Sequence, residues 1–538
     1  DVGEEEFFSL LDKMRDSFLL SFLLSFLLRG SPLHALTYST TPPPAGGIAS
    51  SFEGWASSAG IVAPKIRIDD ADELRNVIVT ADVEEGEVLC VVPRTRCLDL
   101  ASLAVDPTKA GASPCERLAP TRLWASLDWH ERLSVWLLAE ARRGRASEIC
   151  GYIDYLPSPA SFEDGLLDWT DAELAELRYP PLAAAVREQR DSIRRLLEAL
   201  RAGGGADAGS VTLEELSWAQ QLVLSRAFAS DINKGERGAT SGAMGSRAAP
   251  LPPPPPPKSG FQKAWERSEL STVVATRMPK LPSLDDLKGA IGGEPVNDPS
   301  FAMALMPMLD SFNHKSGAVN GCSFDPEANA FVLTAGAPLR RGEEAYISYG
   351  DKGNDALLQL FGFVEASNPH DSFLAVGLPE HVAAVARDSF RGGGGEAEVT
   401  RRVGLIDSLG LGPSLASAEL TARGAPQGTW HALRLLLGSV EEVSGDLARL
   451  RGAVSLETEA RCWAALRSYC KAARAAMGGA RKADLAEARS TACPPRRALA
   501  LQLRAEKKRL LSELEAALVA VESRSRKAGK PLSTVAMP

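Results

Sequence analysis

The chain has 538 residues, 45% of them hydrophobic, and a formal net charge of −9. That length accommodates roughly two to four domains, and the composition supplies large apolar cores, so the chain reads as globular. The acidic balance excludes a general affinity for nucleic acid.

Residues 1–51 read as a leader. The Ser-Phe-Leu-Leu repeat at 17–28 is too short to span a bilayer. The acids Glu4, Glu5 and Glu6 do not suit a secretory signal, whereas the Ser-, Thr- and Pro-rich, acid-poor stretch 29–51 has transit-peptide character. A chloroplast address is therefore expected ahead of the cytoplasm. The main fold is expected over 52–376. It opens with two apolar runs, 74–81 and 83–94, joined by the Glu85-Gly86 turn, which read as a β-hairpin. From about 120 to 228, helical spacing of residues such as Leu133, Trp136, Leu137 and Glu140 predicts a helical insertion. The pattern then gives way at 231–300 to Gly, Ser, Ala and a proline run at 252–257, the composition of a solvated linker. Residues 331–335 and 345–348 read as strands. Residues 377–525 turn helical, and Leu499, Leu503, Leu510, Leu514, Leu518 and Val521 fall on one helix face; 526–538 read as a tail. Eight cysteines are too widely spaced for the close-set pairs of a structural zinc site and suit free thiols.

Two runs belong together: Pro307-Met-Leu-Asp310-Ser-Phe-Asn313-His314, and Ile347-Ser-Tyr349-Gly350 leading through Asn354 to Phe361-Gly362-Phe363. Taken singly they are ordinary, because a Tyr ending an apolar strand is usually a core residue and Asn-His usually marks a turn. In this order and spacing they resemble the SET-domain methyltransferases. Ser225-Arg226-Ala-Phe228 and the helix carrying Arg504-Ala-Glu506-Lys507 further resemble the plant Rubisco large-subunit lysine methyltransferase branch with its C-terminal substrate-binding domain. The resemblance implies an α+β SET fold: small twisted β-sheets with a pseudo-knot and a helical insertion, followed by an all-α domain.

It also implies a site. Tyr349 takes the catalytic position. Asn313 and His314 form the pseudo-knot loop that holds S-adenosyl-L-methionine, with His314 positional and neither a general base nor a metal ligand. Arg226, beside Ser225, pairs with the cofactor carboxylate, a task suited to a planar bidentate donor. Glu73, Leu74 and Arg75 approach the cofactor, although Arg75 and Asn76 stand where the family usually has glycines. Phe361, Phe363 and Tyr346 line the substrate channel, Phe361 replacing a more frequent Tyr. Such a channel favours a neutral amine, which for a free lysine at pH ~7.4 costs about 4 kcal/mol to maintain. No metal is required.

The expected activity is S-adenosyl-L-methionine-dependent protein-lysine N-methylation of a non-histone protein, by a monomer without nucleic-acid partner or stable membrane span. Histone-directed members commonly carry a cysteine-rich zinc segment after the Tyr region, and this sequence has none there. Two alternatives stand beside it: an actin-directed protein-histidine N-methyltransferase, and a SET-fold binding module without turnover. The C-terminal helices are expected to offer a surface to the protein substrate and no contact to the cofactor.

Overall fold

The computed structural model describes residues 47–70, 75–104, 114–162, 165–231, 301–390, 395–445 and 447–532. Helix α1 (Gly47–Ser58) leads to strands β1 (Ile66–Asp69) and β2 (Asn76–Val79), which pair antiparallel with Ile66 opposite Val79. Strand alternation puts Ile66, Ile68, Val77 and Val79 on the buried face.

The hairpin expected between 74–81 and 83–94 does not form. Its turn exists, with Gly86 at φ +81°, a backbone region that favours glycine. Strand β3 (Val88–Pro93), however, pairs with β9 (Ala330–Ala335), Val92 opposite Phe331. The second edge of β2 is already taken: Val79 N–H donates to the Glu343 carbonyl at 2.9 Å, and Ala345 N–H to the Val77 carbonyl at 2.8 Å. A strand paired along both edges has no ladder left for a third neighbour.

After β4 (Leu98–Asp99) comes the helical insertion: α2 (Trp129–Arg143), α3 (Pro180–Ala202) and α4 (Leu213–Arg226). Helix α2 starts where Glu131 reaches back to the Asp128 N–H at 2.8 Å, and α4 where Thr212 and Glu215 cap each other at 2.9 and 3.1 Å. Leu133, Leu137 and Glu140 are buried as their spacing predicts. Helix α4 runs directly into β5 (Ala227–Asp231), which pairs with β6 (Phe301–Leu305), Asp231 opposite Phe301. The linker expected at 231–300 lies, from 232 on, outside the described residues. Its flanks, Asp231 and Phe301, are cross-strand neighbours.

Strand β7 (Asn313–His314) pairs in parallel with β10 (Tyr346–Ile347), Asn313 opposite Tyr346. Parallel neighbours need a crossover. Here it is the hairpin of β8 (Asn320–Asp325) and β9. The segment 343–347 thus lies between β2 and β7, which is the crossing expected of the pseudo-knot.

Two cores result. One gathers Phe52, Val79, Leu89, Leu137, Trp218, Phe312 and Phe331. The other joins Trp169, Tyr179 and Val186 of the insertion to Leu358, Phe373, Trp430, Trp463 and Leu510. Helices α5 (Gln427–Leu437), α6 (Leu456–Ala476) and α7 (Pro495–Ala528) together supply somewhat less than half of the latter. Leu503, Leu510, Leu514, Leu518 and Val521 of α7 are buried, each contributing roughly 1.5–3 kcal/mol. The same helix also buries Arg504, Glu506, Lys507 and Lys508, none more than 5% exposed. Asp484 takes Arg504 at 2.9 Å and Lys508 at 2.5 Å, while Lys507 sits between Asp355 at 2.6 Å and Asp371 at 2.8 Å. All eight cysteines are free thiols. Among the described residues no helix is long and apolar enough to cross a membrane.

Candidate active site

Tyr349 lies just beyond β10, on the side of the segment where Ala345 and Ile347 are buried and Ser348 is exposed. Its hydroxyl donates to the Phe312 carbonyl at 2.9 Å, and its backbone N–H donates to His314 Nδ1 at 2.9 Å. Phe361 stacks on the phenol ring at 4.6 Å, with the His314 ring 5.0 Å away on another side. Phe363 closes the group, 5.9 Å from His314 and 6.4 Å from Phe361. Phe361 and Phe363 diverge around Gly362, whose φ of +78° ends the helical turn 357–361. Burial pushes the Tyr349 hydroxyl up to about 12, so it is a neutral donor at physiological pH.

His314 accepts at Nδ1, which requires its proton on Nε2. Burial lowers the ring's pKa, Glu365 opposing, and the neutral form follows. Asn313 directs its amide NH2 at the Arg75 carbonyl (3.0 Å), Asn76 Oδ1 (3.1 Å) and Glu344 Oε1 (2.8 Å). It thereby ties the entry to β2 to the entry to β10.

Arg226 donates to the Asp310 carbonyl at 2.8 Å and to its Oδ2 at 3.3 Å, and the Tyr152 hydroxyl donates to that Oδ2 at 2.6 Å. Burial raises the Asp310 pKa, with Arg226 acting against it. Burial also works against the Arg226 charge, but Asp310 overcomes it and the net shift is upward. Asp310 Oδ1 remains buried without a partner.

The structure thus brings Tyr349, His314, Phe361 and Phe363 together, and sets Arg226 on Asp310, three residues before Asn313. Ser225 turns its hydroxyl back onto its own helix, to the Gln221 carbonyl at 2.7 Å. Arg75 lies over the Tyr155 ring at 4.3 Å and donates to the Tyr155 carbonyl at 2.5 Å. Glu73 and Leu74 lie outside the described residues. Tyr346 is not among the rings around Tyr349: its hydroxyl bonds Glu344, which pushes it up to about 12, and Lys315 lies 5.5 Å over its ring. Sequence reasoning missed the Phe312 carbonyl, Tyr152 and Glu365. Of these Phe312 lay inside the first motif run and Glu365 two residues past the Phe-Gly-Phe run, whereas Tyr152 had no motif near it.

The described elements define an α+β protein of the SET fold with a helical region behind it. Over 90% of this chain and 97% of the other, it superposes on the SET domain of LSMT bound to lysine and AdoHcy with a TM-score of 0.56 at 18% identity. Rubisco LSMT bound to AdoMet superposes with a TM-score of 0.53 at 17% identity, covering 89% and 93% of the two chains. More particularly, residues 397–511 match the family model described as Rubisco LSMT substrate-binding, so the chain carries that domain behind its SET fold. Among curated relatives, SET domain-containing protein 4 of Homo sapiens is 34% identical over 67 residues, only 12% of this chain and 15% of that protein. The actin-histidine N-methyltransferase of Drosophila melanogaster is 27% identical over 438 residues, 78% of this chain and 68% of that protein.

Proposed function

We propose that this chain is an S-adenosyl-L-methionine-dependent protein-lysine N-methyltransferase with a non-histone substrate, working as a monomer in the chloroplast or cytoplasm. The observation that carries the reading is the Tyr349 hydroxyl, fixed on the Phe312 carbonyl inside a wall of Phe361, Phe363 and neutral His314. A cofactor carrying both an ammonium and a carboxylate fits the residues beside it. Asp310 Oδ1 is a buried acceptor without a partner, and Arg226 commits one nitrogen to Asp310 while its planar fork offers others. Arg226 and the 310–314 segment would hold that group. The cofactor supplies the activated methyl.

The chain's own residues do the remainder. Uncharged aromatic walls disfavour an ammonium and so admit the amine in its neutral form. Tyr349, being un-ionised, adds no anion that would hold a proton on the incoming nitrogen. Its oxygen and the Phe312 carbonyl present acceptors at the polar end of the wall, which orient the nitrogen and exclude loose water. The acidic net charge supports a partner other than the basic histone tails' chromatin setting, and the 29–51 composition supports a plastid address.

A second reading, protein-histidine methylation, draws on the 438-residue likeness to the Drosophila actin-histidine enzyme and on Phe361, which offers no hydroxyl to the acceptor. The test is transfer of labelled methyl to an extract, with mapping of the modified residue by mass spectrometry. Modified lysine supports the first reading and modified histidine the second. Tyr349→Phe is expected to lower turnover ~10²-fold while keeping S-adenosylhomocysteine affinity. No transfer to any protein by a chain that binds the cofactor leaves a binding module.

A further inference from the structure

Glu365 has no role in the chemistry derived so far, yet it sits behind His314. Its Oε1 accepts the Ser316 N–H at 3.0 Å, and its Oε2 accepts the Ser316 hydroxyl at 2.6 Å. Ser316 Oγ is in turn 3.4 Å from His314 Nε2, and Glu365 Oε2 is 3.6 Å from that nitrogen. Because the carboxylate claims the serine proton, Ser316 Oγ faces the imidazole with lone pairs and can only accept. The proton of His314 is thereby drawn to Nε2. Nδ1 is left as the acceptor for the Tyr349 N–H at 2.9 Å.

The backbone of Glu365 is held as firmly as its side chain. Asn354, fully buried, accepts the Glu365 N–H at 2.9 Å and donates to the Glu365 carbonyl at 3.1 Å. Asp371 holds Asn354 at 2.9 and 3.2 Å, and Lys507 of α7 holds Asp371 at 2.8 Å. A continuous polar chain therefore runs from the C-terminal helix to the backbone of the candidate catalytic residue.

We propose that Glu365 is a positioning residue that sets the His314 tautomer through Ser316 and, by it, the placement of Tyr349. This rests on the methyltransferase reading above. Glu365→Gln tests it with almost no change of shape. The Ser316 N–H can only donate, so it keeps the amide oxygen, and the amide NH2 must face the Ser316 hydroxyl. That hydroxyl then keeps its own proton free to turn toward Nε2; as it does so the imidazole proton moves to Nδ1, and two donors face each other at the Tyr349 backbone.

The readouts are the ¹⁵N shifts of the imidazole in histidine-labelled protein, assigned with His314→Gln, together with kcat, KM, melting temperature and S-adenosylhomocysteine affinity. Expected are an Nε2–H tautomer in the unsubstituted chain, an Nδ1–H tautomer in Glu365→Gln, and a kcat lowered about tenfold to hundredfold with the affinity unchanged and the melting temperature lowered by only a few degrees. Ser316→Ala, which breaks the relay without reversing it, should lower kcat less. An Nδ1–H tautomer in the unsubstituted chain, or an unaltered kcat in Glu365→Gln, overturns the proposal. Should the unsubstituted chain transfer no methyl group, the methyltransferase reading fails. The two tautomer readings then still decide whether Glu365 holds His314.

Discussion

Two interior sites at opposite ends of one polar chain treat charge in opposite ways. At α7, Lys507 is wholly buried and remains charged: burial pulls its pKa down, but Asp355 and Asp371 overcome that and leave it raised. One ammonium faces two carboxylates there, and Asp355 bears the imbalance, its pKa pushed up by burial. At Tyr349 the neighbours are aromatic rings and a histidine that burial keeps neutral. The first arrangement locks the helical region to the SET fold. The second surrounds Tyr349 with uncharged rings, the charges of Arg226, Asp310 and Glu344 reaching it only through space, and suits a neutral nitrogen. A buried ion pair gains little over an apolar one of equal shape, but breaking it from one side strands a charge. The domain contact is therefore intolerant of substitution, whereas the site also responds to where the His314 proton lies.

The most severe break in that comparison is Lys507→Met, which leaves Asp355 and Asp371 without their cation. Urea unfolding should show a loss of about 3–5 kcal/mol. A midpoint unchanged from the natural chain would mean that the carboxylates are neutral and the lock is apolar. For the same reason a chain ending near residue 378 is expected to lose stability as well as substrate docking, since Trp169, Tyr179 and Leu358 would also lose their core partners. The C-terminal helices, expected from sequence to offer a surface to the substrate, thus also complete a core shared with the insertion.

At the other end, Asn313→Ala removes the amide that faces the Arg75 carbonyl, Asn76 and Glu344. The expected cost is about 1–3 kcal/mol for acceptors left unpaired. Calorimetric titration with S-adenosylhomocysteine should show weaker binding as the 310–314 segment loosens. Equal affinity would confine Asn313 to holding the strands.

A smaller effect separates the two sites by pH. The His314 pKa is depressed from 6.5 in the folded chain, so the unfolded chain takes up this proton first as pH falls. Its contribution is complete above pH 6.5 and declines below it, toward the lower folded value. His130, His381 and His431 are depressed by burial as well. Urea midpoints measured below and above pH 6.5 should thus slope less in His314→Gln than in the natural chain, and identical slopes would place the charge change elsewhere. The Lys507 group should not respond in this range, because its raised pKa lies far above it.

The smallest expected effect is on the segment 232–300. Since Asp231 and Phe301 are paired, an Asn-Gly turn in its place closes a hairpin without moving β5 or β6. Melting temperature and turnover should match the natural chain. A large drop in turnover alone would give the segment a part in substrate capture.

Much of this molecule was legible in its order of residues. Strands β9 and β10, helices α2 and α4, the buried face of α7 and the grouping of Tyr349, His314, Phe361 and Phe363 all follow from short periodic runs or from motif spacing. Those signals are local: period two or 3.6 needs only near neighbours, and the motif records which short segments recur together. The partners were not legible. β3 turned to β9 because 343–345 had taken the edge of β2, Tyr346 went to Glu344 and Lys315, and Arg226 found Asp310 across 84 residues. Lys507 looks in sequence like the solvated side of an amphipathic helix, yet it reaches Asp371 across 136 residues. Whether a polar side chain faces water or a buried partner depends on desolvation and pairing between distant segments. Sequence alone determined which segments become helix or strand and which residue types carry the chemistry. Only the tertiary structure decided which charges are neutralised and which nitrogen of His314 accepts from Tyr349, because hydrogen-bond direction is fixed by contacts between segments distant in sequence.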